Sequence, residues 1–304
     1  MHPPWSMIFF TTLAGAAQGL LLALVGIEFA GVAAPQALYI AGTFIVLTLS
    51  AIGLACATLH LGHPLRAWRA VAMWRTSWLS REVIVLPVFM ASVALWGFGH
   101  WTQTPRPWVG IVACVLAIVL FVCTGMIYGA VKAIREWAHP ITPTNYLVLG
   151  LASGLVLASA LAAALAPALA GPLAKVALGA TLLGAATRGW ALRRNLTLAP
   201  KTTLQSAIGV RHPRIEQKSQ GAMGGSFNTR EFFHQRTPGF VTRVRWGAAL
   251  LAFALPVTAL AAGANSAVAL ALLFTLQYLG LLAERWSFFA EGQHPQNLYY
   301  RSIS

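Results

Sequence analysis

Eight stretches of predominantly apolar residues recur along the chain, and they constrain its fold more than any other feature. About 20 apolar residues cross the hydrocarbon core of a bilayer as an α-helix. Inside that core, a helix satisfies all of its own backbone hydrogen bonds. The sequence therefore predicts an all-α polytopic membrane protein, an eight-transmembrane-helix bundle. The predicted spans are 6–30, 36–61, 79–99, 108–131, 146–165, 173–192, 244–262 and 266–284.

Charged side chains are too scarce for a soluble surface. Of the 304 residues, 58% are hydrophobic and only 9% are charged. An ordinary soluble domain carries roughly 25% charged residues, so much of this surface must face lipid and the chain cannot work as a soluble catalyst. The sequence predicts a single transmembrane anchor domain over residues 1–304, with one long basic loop at about 193–243.

The three cysteines indicate no redox or metal chemistry. Cys56, Cys114 and Cys123 lie inside apolar stretches without a CxxC spacing. The sequence therefore offers no disulfide framework, zinc site or iron–sulfur motif. We expect buried thiols that pack as small apolar groups, and no metal site.

Positive charge accumulates on one side of the predicted bundle. With an even number of spans, both termini and the even-numbered loops share one face, and 19 of the 21 Lys and Arg residues lie there. Only Arg106 and Lys175 lie on the opposite face. Because Lys and Arg accumulate in cytoplasmic loops, we expect both termini in the cytoplasm, in a multi-pass protein of the bacterial inner membrane.

The loop at about 193–243 is the one sizeable segment predicted outside the membrane. It is basic, rich in turn residues and interleaved with Ile, Phe and Met, which favours packing against a protein partner over a floppy linker. Nucleic acid is a poor partner, since basic residues beside membrane spans already have a topological cause. The candidate docking residues are Arg211, Arg214, Lys218 and Arg230.

Two carboxyl groups stand out in a chain that has seven glutamates and no aspartate. Glu28 and Glu82 fall at the ends of predicted spans, with no cation four residues away in the same helix. An ionisable group within a span is functional by default. Glu82 opens the third span and His60 closes the second, so both lie at one membrane depth on the same face.

The loop between these two residues, LGHPLRAWRAVAMWRTSWLSR, is rich in tryptophan and arginine. A histidine and a carboxyl group walled by aromatic rings suit a quinone headgroup, because a ring carbonyl needs a hydrogen-bond donor and redox turnover moves protons. The candidate quinone-binding residues are His60, Glu82, Arg66, Arg81 and Trp78. The alternative is an interfacial histidine, a Glu82 paired with Arg81 or Arg66, and tryptophans that form an ordinary aromatic belt.

Haem is not expected in this chain. A membrane b-type haem needs axial ligands, normally paired histidines well inside facing helices. Here His60 lies near one face and His100 near the other, and no histidine lies in the middle of a span. Five of the eight histidines precede proline, which is typical of helix exits and turns rather than metal ligands.

The run ATLHLGHPLRAWRAVAMWRTSWLSREV resembles the region between the second and third spans of the dimethyl sulfoxide reductase membrane anchor subunit family. The resemblance implies eight spans, with a molybdopterin catalytic subunit and a four-cluster iron–sulfur subunit as partners. In that family, a histidine in an HLG motif and a glutamate that opens the next span are implicated at the quinol site. These match His60 and Glu82 here.

Two departures from the family pattern bear on the reaction. The loop around GVAAPQ lacks the charges often seen there, and the long loop and the tail AERWSFFAEGQHPQNLYY look more like the branch associated with sulfite dehydrogenase, a cytoplasmic sulfite-oxidising complex. The resemblance therefore implies an anchor, non-catalytic alone, that binds ubiquinone or menaquinone and exchanges electrons with an iron–sulfur partner during sulfite oxidation. The alternatives are a quinol-oxidising anchor of a respiratory reductase and a membrane transporter, which would favour internal repeats and polar residues at the midplane.

Overall fold

The computed structural model describes residues 1–59, 61–199, 203–216, 234–295 and 297–300, and within these ranges the chain forms helices and no strand. Within the described part of the chain, eight helices are long and apolar enough to cross a membrane, which confirms the predicted all-α bundle. They are α1 (Trp5–Phe29), α2 (Gln36–Thr58), α3 (Trp78–Trp101), α4 (Pro107–Gly129), α5 (Ile141–Leu165), α6 (Pro167–Leu196), α7 (Pro238–Ala261) and α8 (Ala267–Glu291). A 3-10 helix, Pro64–Met73, joins α2 to α3, and two short helices cover Leu204–Ile208 and Asn297–Tyr300.

Several helices extend beyond the predicted spans. Helices α5, α6 and α7 begin before the predicted residues 146, 173 and 244, and α8 continues past 284 to Glu291. The first residues of α6 and α7 are Pro167 and Pro238, and proline is favoured in the first turn because its missing N–H would have no partner there. The hydroxyl of Thr237 accepts a hydrogen bond from the Phe240 N–H (3.3 Å) and caps α7. Hydropathy thus marks what lipid covers, not where a helix ends.

The helix ends fall into two groups at opposite ends of the bundle, and the Lys and Arg residues of the chain are concentrated at one of them. The start of α1 lies beside the end of α8, where Ile8, Trp286 and Phe289 belong to one buried cluster. The first residues of α1, α3, α5 and α7 and the last residues of α2, α4, α6 and α8 therefore share one end, as predicted. We call this end the basic face.

Helices α1 and α5 form the centre of the bundle and are the most buried of the eight spans. Gly19 of α1 and Gly154 of α5 lie where the two backbones touch, and a Cβ atom added to either would collide with the backbone of the other helix. Small residues permit this close approach, which drives packing where lipid removes any hydrophobic advantage. Helices α2 and α7 lie on the outside, and less than a third of each is buried within the bundle.

Helices α2 and α3 are close together at one end and apart at the other. Away from the basic face, the ring of Tyr39 meets that of Trp96 edge-on, with 5.8 Å between the centroids. In the same region, a Cβ atom on Gly97 would collide with the side chain of Thr43. Toward the basic face the two helices line a cavity instead.

Candidate functional site

A cavity of about 620 Å³ lies at the basic face, surrounded by the ends of α1, α2, α3, α4 and α8 and by the 3-10 helix. We call it the basic-face cavity. Its walls are mostly apolar and aromatic. The lining residues are Met1, His2, Pro4, Met7, Phe10, Leu54, Ala57, Thr58, Leu61, Ala67, Leu79, Glu82, Val83, Leu86, Pro87, Ile127, Tyr128, Trp137 and Phe289.

The two sides of this cavity differ in exposure. On the inner side, Phe10, Tyr128 and Phe289 are buried within the bundle. On the outer side, Leu54 of α2 and Leu79 of α3 are exposed. The cavity is therefore closed toward the centre of the bundle and open between α2 and α3, where the surface of a spanning helix meets lipid.

Glu82 is the acidic residue in the wall of the cavity. It lies in the second turn of α3. Ser77 caps the start of this helix, because its hydroxyl accepts a hydrogen bond from the Ser80 N–H (3.3 Å). The Glu82 side chain is buried, with 4% of its surface exposed, and its carboxyl group accepts a hydrogen bond from the Thr124 hydroxyl of α4. No Lys or Arg among the described residues forms an ion pair with it. A carboxyl group in this position can exchange a proton with a molecule held in the cavity.

The aromatic part of the wall comes from residues far from Glu82 in sequence. The ring of Tyr128 meets those of Trp137 and Phe289 edge-on, with centroids 5.5 and 5.2 Å away. The indole Nε1–H of Trp137 donates a hydrogen bond to the Phe288 carbonyl oxygen (2.9 Å), which fixes the connection after α4 against α8. Sequence analysis missed these residues, and the aromatic pair Phe288–Phe289 near the end of α8 was the available signal.

The predicted quinone-binding residues are not all brought together. Arg81 donates hydrogen bonds to the carbonyl oxygens of Trp74 (3.0 Å) and Arg75 (2.8 Å), and its guanidinium lies 4.2 Å from the ring centroid of Trp78. Arg81 thus binds the preceding loop rather than Glu82. Arg66 is exposed. These three predicted residues do not line the cavity.

His60 lies outside the described residues, so its predicted approach to Glu82 stays a prediction. Its neighbours in sequence, Thr58 and Leu61, both line the basic-face cavity. Of the predicted docking residues, Arg211 and Arg214 are exposed. Lys218 and Arg230 lie outside the described residues.

The other carboxyl group singled out from sequence, Glu28, lies at the opposite end of the bundle. It accepts a hydrogen bond from the indole Nε1–H of Trp96 (2.8 Å), and its Oε1 is 3.5 Å from Nε2 of His100. The His100 ring stacks on Tyr39, with 4.3 Å between the centroids. Glu28 is thus held in a packed aromatic cluster, which gives it a structural role.

A buried ion-pair network joins α6, α7 and α8 near the basic face, and sequence analysis missed it. Glu284 lies between two cations, 2.7 Å from Nε of Arg188 and 2.5 Å from Nε of Arg285. Glu291 lies 3.3 Å from Nη2 of Arg188 and 3.1 Å from Nε of Arg245. A buried charge is tolerated only with such partners, so these residues fasten the three helices together.

The fold and the cavity define a class: a polytopic membrane protein with an apolar, aromatic-walled cavity and a buried carboxyl group near one membrane surface. Residues 1–206 match the family model described as the DMSO reductase anchor subunit (DmsC). The chain belongs to this family, and the resemblance predicted from its sequence is confirmed.

Two relatives indicate the type of complex to which members of this family belong. The chain is 46% identical over 327 aligned residues to the sulfite dehydrogenase subunit designated C of Allochromatium vinosum, and the match covers 100% of both chains. It is 26% identical over 160 residues to the anaerobic dimethyl sulfoxide reductase chain YnfH of Escherichia coli, covering 51% of this chain and 56% of that one. The chain is therefore a multi-pass membrane anchor subunit of the sulfite dehydrogenase and DMSO reductase type.

Proposed function

We propose that the chain is the quinone-binding anchor of a sulfite-oxidising complex. Electrons pass from a molybdopterin catalytic subunit through an iron–sulfur subunit to a quinone in the basic-face cavity. The observation that carries the proposal is Glu82, a buried carboxyl group without a described cation, in the wall of an apolar cavity that opens toward lipid. The full-length similarity to a sulfite dehydrogenase subunit supports the choice of substrate.

A quinone fits this cavity in size and chemistry. Its volume of about 620 Å³ lies within the range of ligand pockets, about 300–1,000 Å³. The aromatic inner side, with Tyr128 and Phe289, suits a flat ring. The apolar outer side, with Leu54 and Leu79, suits an isoprenoid tail that extends between α2 and α3 into the bilayer.

Reduction of a quinone to a quinol takes up two electrons and two protons. We assign the delivery of these protons to Glu82, whose carboxyl group lies in the wall of the cavity. It passes one proton to a ring oxygen in each of two steps and takes up a proton from the side of the basic face after each transfer. The Thr124 hydroxyl orients that carboxyl group through its hydrogen bond. His60, predicted from its place at the end of the second span and matched by the family resemblance, supplies a hydrogen-bond donor to the ring carbonyl. The apolar walls keep water away from the reacting atoms.

The orientation of the complex follows from charge. We place the basic face and both termini in the cytoplasm, because positively charged loops are retained there. The iron–sulfur partner then docks on the basic face, close to the cavity to which it delivers electrons. Its proposed contacts are Arg211, Arg214, Lys218 and Arg230.

The test compares two conservative changes at opposite ends of the bundle. Glu82→Gln removes the proton-transferring carboxyl group, and we expect sulfite-dependent quinone reduction to fall on the order of a hundredfold, as for the loss of a general acid–base group. Glu28→Gln keeps the acceptor for Trp96 and lies outside the cavity, so turnover should stay near the wild-type rate. Copurification of the partner proteins checks that both variants assemble. Normal turnover by an assembled Glu82→Gln complex would refute the role of Glu82.

Quinol oxidation, with electron flow toward a substrate, is the second candidate. The match to a dimethyl sulfoxide reductase chain favours it, although that match covers about half of each protein. The purified complex distinguishes the two directions, because sulfite should reduce quinone in the first case. Quinol oxidation by dimethyl sulfoxide, without sulfite activity, would assign the chain to a reductase.

A further inference from the structure

The connection between α2 and α3 exposes apolar side chains beside arginines. Its 3-10 helix, Pro64–Met73, has the sequence PLRAWRAVAM, and no acidic residue occurs between Glu28 and Glu82. Leu65 has 94% of its surface exposed, Trp68 70% and Met73 61%. Apolar area costs roughly 25 cal/mol per Å² when it stays in water, so this segment needs an apolar surface to cover it.

Tryptophan and arginine are paired within the segment. The Arg69 guanidinium lies 5.5 Å from the ring centroid of Trp68, and that of Arg75 lies 5.4 Å from the ring centroid of Trp74. Tryptophan rings are enriched where a membrane meets water. An arginine beside such rings is placed where it can bind the anionic oxygen atoms of lipid headgroups.

The segment is continuous with the lipid-facing surface of the bundle. It follows α2, which exposes Ile52 and Leu54 in its last turns. It precedes α3, which exposes Leu79 and Val88. Ala67 of the segment also lines the basic-face cavity, so the segment borders the opening between α2 and α3.

We propose that residues 64–75, which comprise the 3-10 helix and the two residues after it, lie in the headgroup layer of the bilayer and bind anionic phospholipids. Leu65, Trp68 and Met73 insert among the acyl chains, and Arg66, Arg69 and Arg75 bind lipid phosphates. The segment thereby holds the lipid-side edge of the basic-face cavity in place. Only its role as a cavity entrance rests on the proposed function.

The observations favour lipid over a protein partner. Helix α2 is among the least buried spans, so the segment that leaves it lies at the periphery of the bundle. Its exposed apolar residues continue those of the lipid-facing helices, and its charge is wholly positive, which complements phosphatidylglycerol. An interfacial segment binds through apolar insertion together with attraction to anionic lipids.

Spin labelling of the assembled complex in lipid nanodiscs tests the location of the segment. The label is attached at Trp68→Cys in a chain whose Cys56, Cys114 and Cys123 are replaced by alanine. Leu65→Cys is a second label site in case the first variant does not fold. We expect the label to be accessible to dissolved oxygen and protected from a water-soluble nickel chelate.

Two results would overturn the proposal. A label that the nickel chelate reaches freely lies in water. A label protected from both reagents in the complex, but not in the isolated chain, lies beneath a partner protein. Neither readout needs quinone turnover, so the result does not depend on the proposed function.

Lipid preference tests the arginines. A triple variant should bind phosphatidylglycerol over phosphatidylcholine less selectively, by about fivefold for each arginine removed; it carries Arg66→Gln, Arg69→Gln and Arg75→Gln. The factor follows from an attraction of about 1 kcal/mol between each arginine and an anionic membrane surface. The control is Arg106→Gln with Lys175→Gln, which removes charge from the opposite end and should leave the preference of the basic-face segment unchanged. An unaltered preference in the triple variant would refute phosphate binding.

Discussion

Glu28 and Glu82 are both glutamates near the end of a span, yet their surroundings differ. Glu28 accepts a hydrogen bond from the Trp96 indole and lies 3.5 Å from His100, in a region where α2 and α3 are in contact. Glu82 receives one hydroxyl hydrogen bond and borders a cavity of about 620 Å³, where α2 and α3 have separated. Position and residue type are thus alike for the two glutamates, and what differs is the free space beside the carboxyl group. That difference is why we propose Glu82, and not Glu28, as the proton-transferring residue.

The largest effect on stability is expected from a third carboxyl group, because Glu284 is neutralised by two buried arginines. Arg188→Met removes the one guanidinium that Glu284 and Glu291 share. Breaking a buried ion pair lowers the free energy of unfolding by about 3–5 kcal/mol. Glu82→Gln removes no ion pair that the described residues show, so its free energy of unfolding should stay within about 1 kcal/mol of wild type. Detergent-titration unfolding measures both. Equal losses would mean that Glu82 has a cationic partner.

A second prediction compares two indole hydrogen bonds. Trp96→Phe removes the donor to the Glu28 carboxyl group, and a hydrogen bond to a charged group contributes about 1.5–3 kcal/mol. Trp137→Phe is the matched control, because its indole donates to the Phe288 carbonyl oxygen and a neutral bond contributes about 0.5–1.5 kcal/mol. The free energies of unfolding of the two variants should therefore differ. If Trp137→Phe is the more damaging change, the structural role assigned to Glu28 is wrong.

A third prediction tests the separation of α2 and α3 directly. Gly97→Leu should push α3 from Thr43 and destabilise the protein by about 1–3 kcal/mol, as overpacking does. Ala57→Leu places the added volume in the basic-face cavity, so it should fold nearly as well as wild type but impair quinone turnover. Thermal unfolding and turnover are measured on both. Comparable destabilisation by Ala57→Leu would show that no usable space exists there.

The smallest effect concerns pH at the basic face. Burial lowers the pKa of His139, which lies in the connection between α4 and α5, and the positive charge of Arg194 lowers it further. A lowered pKa means that the folded state prefers the neutral ring, so stability is lost as pH falls below the ordinary value of 6.5. The neutral ring also accepts a hydrogen bond from the Ile141 N–H (3.1 Å). His139→Asn should show a weaker loss of melting temperature between about pH 7.5 and about pH 5.5, and an unchanged loss would exclude His139 as the cause.

The sequence was sufficient for the spans and for the depth of Glu82, because both follow from local hydropathy. It was not sufficient to predict which residues line the cavity. Tyr128, Trp137 and Phe289 come from α4, the following loop and α8, and no local pattern states which helices meet. The network around Glu284 was missed for the same reason, since Arg188 and Glu284 are far apart along the chain. The sequence shows that a charged residue lies near the end of a helix, but which residue it pairs with depends on how the helices pack.

The backbone contact between Gly19 and Gly154 has a consequence for biosynthesis. Helix α1 is made first, and the helix that covers its glycine surface is the fifth. At about 5–20 residues per second, the ribosome needs on the order of ten seconds to reach α5 after α1 has emerged. During that interval the surface of α1 that carries Gly19 lacks the helix that covers it in the finished protein. Newly inserted α1 is thus a natural client for the insertion machinery, and delayed synthesis of α5 should expose the chain to membrane proteases.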